Sequence, residues 1–412
     1  MEPERSRDRV DVGPWPSLNW SSLGEVSFAF LRLGLISFGG PVAHLGYLRE
    51  EFVEKRRWLR DEAYGDLVAL CQFLPGPASS QVVFALGMLR SGWPGGVVAS
   101  FCFTLPSAIL MILFGYGIGA LGDLQSAAWL HGLKLAAVAV VAQAVLGMGR
   151  NLCPDLPRQV IGISAAALVL LFPGALIQIG VIGGGAVIGW WFYHRTMPLS
   201  GKPGFPDWRN HIGAASALGA FFSLLVLLPA IASTTGNRNA AIFDSFYRAG
   251  SLVFGGGHVV LPLLRAEVVP KGWVTDDAFL AGYGAVQAVP GPLFTFAAYL
   301  GTVMQPGPGA WLEGCWCLLA IFLPAWLLIA GAFPFWEQLR RTAWMQSALR
   351  GANATVVGVL LAALYRPVCT EAVKRPRDAA TALMAFGLLQ WCKVPPWIVV
   401  PLLAVAGRWL VP

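Results

Sequence analysis

The feature that most constrains this chain is a duplicated pair of glycine and proline breaks inside apolar sequence. FAFLRLGLISFGGP at 28–41 and QFLPGP at 72–77 return as DSFYRAGSLVFGGG at 244–257 and QAVPGP at 287–292. The two copies keep a nearly constant offset of 215 or 216 positions. Duplicated breaks of this kind in a hydrophobic chain are typical of transporters with internal repeats. In such proteins the substrate site lies where the breaks meet near the middle of the membrane.

Composition places the chain in a bilayer. Of its 412 residues, 56% are hydrophobic before its 48 glycines are counted, and 12% are charged. Soluble domains have about 25% charged residues, so a polytopic membrane protein is indicated. The net charge of +7 is distributed over short loops, which fits cytoplasmic loops and does not predict a nucleic-acid partner. Seven scattered cysteines show no metal-ligand spacing, so neither a metal nor a cofactor is expected.

The predicted fold class is an all-α polytopic membrane protein with two homologous inverted-topology repeats, whose helices are broken or re-entrant at the FGG and PGP motifs. Proline removes a backbone donor and glycine permits positive φ, so each motif should end a helix. The freed backbone groups must then face protein or a wet cavity. Interrupted segments are expected at 26–47, 66–90, 244–264 and 278–304, and plain helices at about 95–120, 131–149, 159–173, 176–193, 212–233, 310–335, 350–366, 378–391 and 396–411.

Loop charge suggests the orientation of the repeats. The loop from Arg49 to Arg60 is strongly basic and should be cytoplasmic, whereas its counterpart from Arg265 to Asp277 is roughly neutral, as inverted repeats predict. The broken segments either cross the membrane or return as re-entrant hairpins, and the loop charges favour hairpins. The expected division is a cytoplasmic tail at 1–23, a first repeat at 24–195, a linker with one unpaired helix at 196–240, and a second repeat at 241–412.

At these motifs the chain resembles a known family. FLRLGLISFGGP, LPGPASSQ, AGSLVFGGGHVVLPLL and QAVPGP are similar to the signatures of the long, two-domain chromate ion transporters. The resemblance implies a secondary transporter that exports chromate across the bacterial inner membrane and confers chromate resistance. Transport of sulfate or another oxyanion, or an anion channel on the same scaffold, are the alternatives. An enzyme is not expected, because the sequence has no HExxH, GxSxG, CxxC or P-loop motif.

A tetrahedral dianion needs hydrogen-bond donors and positive charge, and unpaired amides at helix breaks supply donors. Arg32 and Arg248 occupy equivalent positions in apolar sequence, so they are the sharpest candidates for charge compensation; the alternative is that they reach the membrane interface or pair with an acid. Hydroxyls after the triplets either bind the anion or cap helices. The predicted substrate-binding residues are Arg32, Gly39, Gly40, Gln72, Pro75, Gly76, Pro77, Ser79, Ser80, Arg248, Gly255, Gly256, Gly257, Gln287, Pro290, Gly291, Pro292 and Thr295.

Proton coupling has three candidates, His44, Asp66 and His258, because histidine titrates near neutral pH; a structural role is the favoured alternative for both histidines. The LRxE clusters at 48–51 and 264–267 predict a loop salt bridge or a helix end, and contacts that gate the site are the less favoured alternative. Lys134 is interpreted as an interfacial anchor. The expected partners are a chromate-like or sulfate-like dianion and the lipid bilayer, and a homodimer is left open.

Overall fold

The computed structural model describes residues 20–38, 40–120, 128–172, 174–193, 211–254, 257–336 and 342–410. All regular secondary structure within these ranges is helical. Most of the predicted tail and the start of the predicted linker lie outside the described residues.

The first half contains seven helices among the described residues. Helix α2 continues into a π-helical turn at Glu50–Lys55. Helix α4 bends where the backbone of Ser91 and Gly92 leaves helical geometry, which divides it into arms at 78–90 and 93–120. The bounds are α1 (Trp20–Ile36), α2 (Gly40–Arg49), α3 (Asp61–Phe73), α4 (Ala78–Ala120), α5 (Ala128–Leu152), α6 (Leu156–Leu171) and α7 (Ala175–Tyr193).

The second half repeats this order after an extra helix, α8 (His211–Thr235). A 3-10 turn at Gly257–Val259 precedes α10, and another at Leu293–Thr295 precedes α12. The remaining bounds are α9 (Arg238–Ser251), α10 (Val260–Val268), α11 (Asp276–Val286), α12 (Phe296–Met304), α13 (Ala310–Ala332), α14 (Ala343–Ala363), α15 (Pro376–Gln390) and α16 (Pro396–Leu410).

The predicted breaks are confirmed in both halves. Helix α1 ends at Ile36 before the first glycine cluster, and α3 ends at Phe73, with four residues between it and the start of α4 at Ala78. In the second half, α9 ends at Ser251, and no α-helix continues from Val286 through the second Pro-Gly-Pro triplet. Helix α3 has 13 residues and α11 has 11, fewer than the ~20 needed to cross the hydrocarbon.

The plain helices also form where expected. Among the described residues, six helices are long and apolar enough to cross a membrane, and they include α5, α7, α8 and the long arm of α4. Helices α6, α15 and α16 are shorter, at 15 or 16 residues. They therefore depend on neighbouring helices or on tilting and local thinning of the bilayer.

The two repeats have opposite orientations. The hydroxyl of Tyr116, near the end of the 93–120 arm, donates to the carbonyl oxygen of Pro308 over 3.0 Å and accepts from the amide of Trp311 over 3.2 Å. Pro308 and Trp311 lie at the start of α13, which is the counterpart of that arm. Equivalent helices thus run antiparallel to each other, and the predicted inverted repeat is confirmed.

The repeats exchange their last two helices. Helix α5 of the first repeat packs against α15 and α16 of the second, and α14 packs against α6 and α7 of the first. Glycines allow the close approach: Gly132 faces the backbone of Leu403, and Gly351 faces Gly185 and Gly189. Small residues at such crossings are a common way to pack membrane helices. The exchange ties the repeats together around the broken segments.

Candidate functional site

Each Pro-Gly-Pro triplet makes a backbone hydrogen bond to the glycine break of the other repeat. The amide of Gly291 donates to the carbonyl oxygen of Ser37 over 2.8 Å, and the amide of Gly76 donates to the carbonyl oxygen of Val253 over 2.6 Å. Gly76 is the counterpart of Gly291, and Ser37 is the counterpart of Val253. The four breaks therefore meet in two equivalent junctions, and in each junction one amide of the triplet is paired with one carbonyl oxygen of the other repeat.

Glycine is required at the centre of each triplet. Gly76 has a φ of +124° and Gly291 a φ of +102°, values that residues with a Cβ rarely adopt. A Cβ on Gly76 would lie 2.8 Å from the side-chain nitrogen of Gln81, and one on Gly291 would lie 2.7 Å from the hydroxyl of Ser107. The glycines thus serve both the turn and the close contact between repeats.

The first junction comprises Ser37, His44, Ser107 and Gly291. The Nε2 atom of His44 lies 3.0 Å from the carbonyl oxygen of Ser37, and its ring meets Phe103 edge-on with centroids 5.6 Å apart. His44 and Ser37 are each 1% exposed. The Nδ1 atom of His44 and the hydroxyl of Ser37 have no hydrogen-bond partner among the described residues, although buried polar atoms are normally paired.

The second junction comprises Gly76, Gln81, Val253 and Ala325. Gln81 donates from its amide nitrogen to the carbonyl oxygen of Pro75 over 2.8 Å, and its buried Oε1 atom has no partner within the described ranges. A Cβ on Gly76 would approach the side chain of Ala325 to 3.2 Å. This junction is polar through a neutral amide and lacks a histidine among its members.

The two predicted arginines are paired with acids. Arg32 lies 4.0 Å from Glu51, and its side chain is 53% exposed. Arg248 is bound by Asp244 at 2.8 Å and by Glu267 at 3.2 Å, and its side chain is 22% exposed. Neither guanidinium makes a polar contact with a junction residue within the described ranges. The alternative of acid pairing therefore describes both arginines in this structure.

The acids that hold these arginines belong to a duplicated ion-pair network. Glu51 also accepts from Arg56 over 2.7 Å, and its counterpart Glu267 accepts from Lys271 over 3.0 Å. These basic groups lie over equivalent indoles, Arg56 on Trp58 and Lys271 on Trp273.

A second equivalent pair closes each network. Arg49 contacts Asp61 at 2.7 Å, and Arg265 contacts Asp276 at 2.7 Å. The hydrogen bond from Arg49 lowers the pKa of Asp61. Residues of both LRxE clusters form salt bridges, as predicted, with partners outside the clusters, and the pairs of Arg49 with Asp61 and Arg265 with Asp276 are equivalent in the two copies.

The other predicted binding residues occupy varied positions. Thr295 donates to the carbonyl oxygen of Pro292 over 2.9 Å, which supports its own turn. The Nε2 atom of Gln287 and the hydroxyl of Ser80 are buried without partners among the described residues, and Ser79 is also buried. Gln72 is exposed on α3. Gly40 begins α2 at a φ of +80°, Pro77, Pro290 and Gly257 are buried, and Gly39, Gly255 and Gly256 lie outside the described residues.

The proton-coupling candidates differ in their contacts. His258 shares a 2.7 Å hydrogen bond with the hydroxyl of Tyr283 through its Nδ1 atom. Asp66 is half-buried on α3. His44 alone among these three lies in a junction, and its Nδ1 atom has no hydrogen-bond partner in the described part of the chain.

Two ion pairs between the repeats were missed by sequence reasoning. Lys134 on α5 contacts Asp277 at the start of α11 over 2.6 Å, and His131 contacts Asp378 at the start of α15 over 2.8 Å. The interpretation of Lys134 as an interfacial anchor did not include this acidic partner. A lysine in an apolar helix was the available signal, but its partner is 143 positions away in the sequence.

Two cavities lie at the periphery. One, of about 650 Å³, is lined by α5, α6 and α14 and includes Arg150 and Gln159. The other is apolar and includes Trp190 and Trp344. Neither is lined by a residue of the two junctions.

Comparison with known proteins gives a consistent result. A family model described as "Chromate transporter" matches residues 24–190 and 240–408. The chain is 29% identical to the "Chromate transport protein" of Pseudomonas aeruginosa, with 99% of this chain and 96% of that protein covered. It is 26% identical to the "Probable chromate transport protein" of Synechococcus elongatus, with 83% and 84% covered, and 25% identical to the "Chromate transport protein" of Cupriavidus metallidurans, with 88% and 86% covered. No solved structure matches the chain.

Proposed function

Since the chain belongs to the chromate transporter family, we propose that it is a secondary transporter that exports chromate across the bacterial inner membrane and thereby confers chromate resistance. The observation that supports this most directly is the reciprocal pair of hydrogen bonds at the junctions, Gly76 to Val253 and Gly291 to Ser37. These bonds bring both duplicated breaks together between inverted repeats, the place where transporters of this architecture bind substrate.

The junction amides supply the anion contacts in this proposal. In the packed arrangement, Gly76 and Gly291 donate to carbonyl oxygens of the opposite repeat. When the repeats separate, those amides become free to donate to the oxygens of a tetrahedral dianion. A helix terminus beside each triplet adds the positive end of its dipole. Substrate thus replaces the carbonyl acceptors, and neither the open nor the closed state leaves buried amides unpaired.

In this scheme the two arginines act indirectly, through the acids that they bind. Arg32 and Arg248 hold Glu51 and Glu267, which lie just beyond α2 and on α10. They would therefore set the position of the segments that follow the glycine breaks and do not contact the substrate in the packed state. The remaining predicted ligands are those beside the triplets, chiefly Ser80 and Gln287, whose hydroxyl and Nε2 atom respectively have no hydrogen-bond partner in the part of the chain that the structure describes.

Alternating access would follow from movement of the two hairpins. The helical segments next to the triplets, which are α3, the 78–90 arm of α4, α11 and α12, are each too short to cross the membrane. We therefore infer that each Pro-Gly-Pro segment enters the bilayer and returns on the same side. Inverted repeats place the two hairpins on opposite sides. Opening one junction at a time would expose the site alternately to each side, with the basic Arg49–Arg60 loop in the cytoplasm.

The test is transport by the purified protein in liposomes. Labelled chromate would be followed with and without a pH gradient, with sulfate as a competitor and protein-free liposomes as a control. We expect saturable uptake that responds to counter-substrate on the other side of the membrane. Flux that does not saturate would indicate a channel. Flux of sulfate without flux of chromate would identify sulfate as the transported anion. Absence of flux for both anions would overturn the proposal.

A further inference from the structure

The two junctions are equivalent in backbone but not in chemistry. Three polar residues of the first junction are replaced by apolar residues at the equivalent positions of the second junction: Ser37 corresponds to Val253, His44 to Val260, and Ser107 to Ala325. The second junction instead has the amide of Gln81, whose counterpart is Phe296. The duplication thus preserves the hydrogen bond between repeats and changes the side chains around it, which indicates that the halves have different tasks.

Charge is the main difficulty for a dianion at this location. A dianion removed from water is very unfavourable unless positive charge compensates it. Arg32 and Arg248 are already paired with acids, and they have no described contact with either junction. His44 is the basic residue that belongs to a junction, and it is 1% exposed.

The hydrogen bond between His44 and Ser37 determines which ring nitrogen carries the hydrogen when His44 is neutral. Because the carbonyl oxygen of Ser37 can only accept, the hydrogen must lie on Nε2. The Nδ1 atom then carries a lone pair, and it is buried without a partner among the described residues. A bare lone pair repels an anion, whereas a protonated Nδ1 would donate to it. The hydroxyl of Ser37, also buried and unpaired, is a second donor on the same residue whose carbonyl binds Gly291.

From this arrangement we propose that the oxyanion binds at the first junction together with one proton, which is held on the Nδ1 atom of His44. The proposal rests on the proposed function and assigns its binding half-site. A proton from the aqueous side adds to the Nδ1 lone pair, while Nε2 keeps its hydrogen bond to Ser37. Nδ1 and the Ser37 hydroxyl then donate to oxygens of a tetrahedral dianion such as chromate. The second junction supplies a neutral hinge.

The surroundings of His44 contain few groups that would compete. From the long arm of α4, Phe103 meets its ring and Ser107 lies beside Gly291. From α3, Tyr64 donates to the carbonyl oxygen of Leu45, the next residue. The charges nearest along α2 and the π-helical turn are Arg49, Glu50, Glu51, Glu54 and Lys55, and they pair among themselves or with Arg32, Arg56 and Asp61. No described ion pair or hydrogen bond joins a charged group to His44.

The test measures chromate binding by purified protein between pH 5.5 and 8.5, by isothermal titration or ligand-induced thermal stabilisation. In the wild type, linkage of one proton makes the dissociation constant rise about tenfold per pH unit above the titration of the site. We expect His44→Gln, which keeps the hydrogen bond to Ser37, to bind more weakly at low pH and to lose this added slope. Chromate itself titrates in this range, but equally for both proteins, so the difference between profiles reports His44.

Matched variants distinguish the contribution of His44 from other causes of weaker binding. His258→Gln should retain the wild-type slope, because the Nδ1 atom of His258 is already bonded to Tyr283. Ser37→Ala should weaken binding several-fold at every pH without changing the slope. If wild type binds chromate and His44→Gln shows the same slope, this inference fails while the proposed function stands. If folded wild type binds no oxyanion at any pH, the proposed function itself fails. Melting temperatures of all variants without ligand would identify any loss of folding.

Discussion

The amide of Gly76 and the carbonyl oxygen of Val253 form a 2.6 Å hydrogen bond that joins the proline-flanked turn of one repeat to the glycine break of the other. Its counterpart, from Gly291 to Ser37, has the same geometry with the repeats interchanged. Reciprocal contacts of this kind are the signature of a two-fold relationship. Both hydrogen bonds depend on glycines with positive φ. Replacing either glycine by alanine, which adds only a Cβ atom, therefore tests the junctions.

We predict that Gly76→Ala and Gly291→Ala each lower stability and abolish most chromate transport. The left-handed backbone alone costs about 1–2 kcal/mol for alanine, and the new Cβ would also meet Gln81 or Ser107 at less than 3 Å. Thermal unfolding in detergent and liposome transport measure the two effects. Gly46→Ala and Gly65→Ala are matched controls, since both are helical and a Cβ there meets nothing within 4 Å. Near-normal transport by both junction variants would contradict the assigned site.

We predict that the ion pair between Lys134 and Asp277 stabilises the contact between the two repeats. Their side chains are 11% and 27% exposed, and a hydrogen bond between charged groups contributes about 1.5–3 kcal/mol. We expect Lys134→Ala and Asp277→Ala each to lower the melting temperature, and the double variant to be no worse than the more damaging single change. A thermal double-mutant cycle measures this coupling. Strictly additive losses would show that the two groups act independently.

Much of the architecture could be predicted from local chemistry. Proline and glycine act on the backbone of their own segment, so the ends of α1 at Ile36 and of α3 at Phe73 follow from the sequence without knowledge of any partner. The same reasoning predicts that freed backbone groups need partners inside the protein. The inverted orientation was also accessible, because duplication and loop charge are both visible in the sequence.

The remaining features depend on contacts across the chain. Exchange of the last helices, with α5 on α16 and α14 on α7, places Gly132 against Leu403, and no local signal distinguishes this from packing within one repeat. The acid partners of Arg32 and Arg248 were visible as glutamates in the LRxE clusters, but their pairing with these arginines was not assigned. The difference between the junctions required knowing that Ser107 lies beside Gly291.

At the start of α6, Asp155 provides a test of pH dependence outside the membrane spans. Its side chain accepts from the amide of Arg158 over 3.0 Å and from the hydroxyl of Tyr193 over 2.8 Å, and the hydrogen bond from the Arg158 side chain lowers the pKa of Asp155 to about 2. Because the folded pKa is below the unfolded value of about 3.9, the stabilisation is complete above pH 4 and is lost as the pH falls towards 2.

Two substitutions separate the cap from the charge at Asp155. Asn is an equally good N-cap, so Asp155→Asn should lose only the stabilisation that comes from the charge of Asp155 beside Arg158. Asp155→Ala should lower the free energy of unfolding by a further ~0.5–2 kcal/mol, because the cap is also lost. Melting temperatures at pH 7 should rank wild type above Asn and Asn above Ala. At pH 3 the gap between wild type and Asn should narrow. A gap that widens on acidification would contradict the assigned direction.

The arginines of the duplicated network should respond unequally to removal. Arg248→Gln leaves Asp244 and Glu267, both about 95% buried, with Lys271 as the remaining basic partner among the described residues, and loss of one partner from a buried pair costs about 3–5 kcal/mol. Arg32 is 53% exposed, and Glu51 would still be held by Arg56, so Arg32→Gln should cost about 1 kcal/mol or less. Thermal unfolding of the purified variants measures both losses.

Chromate binding by the same two variants distinguishes support from direct contact. If the arginines position the segments beyond the breaks, affinity should fall in proportion to the loss of stability, and Arg32→Gln should bind almost normally. Restoring the charge with Arg248→Lys should recover much of the stability, because a lysine can still reach one of the two carboxylates. A large loss of affinity in Arg32→Gln with an unchanged melting temperature would instead show that the charge of this guanidinium acts on the bound anion and not on the fold.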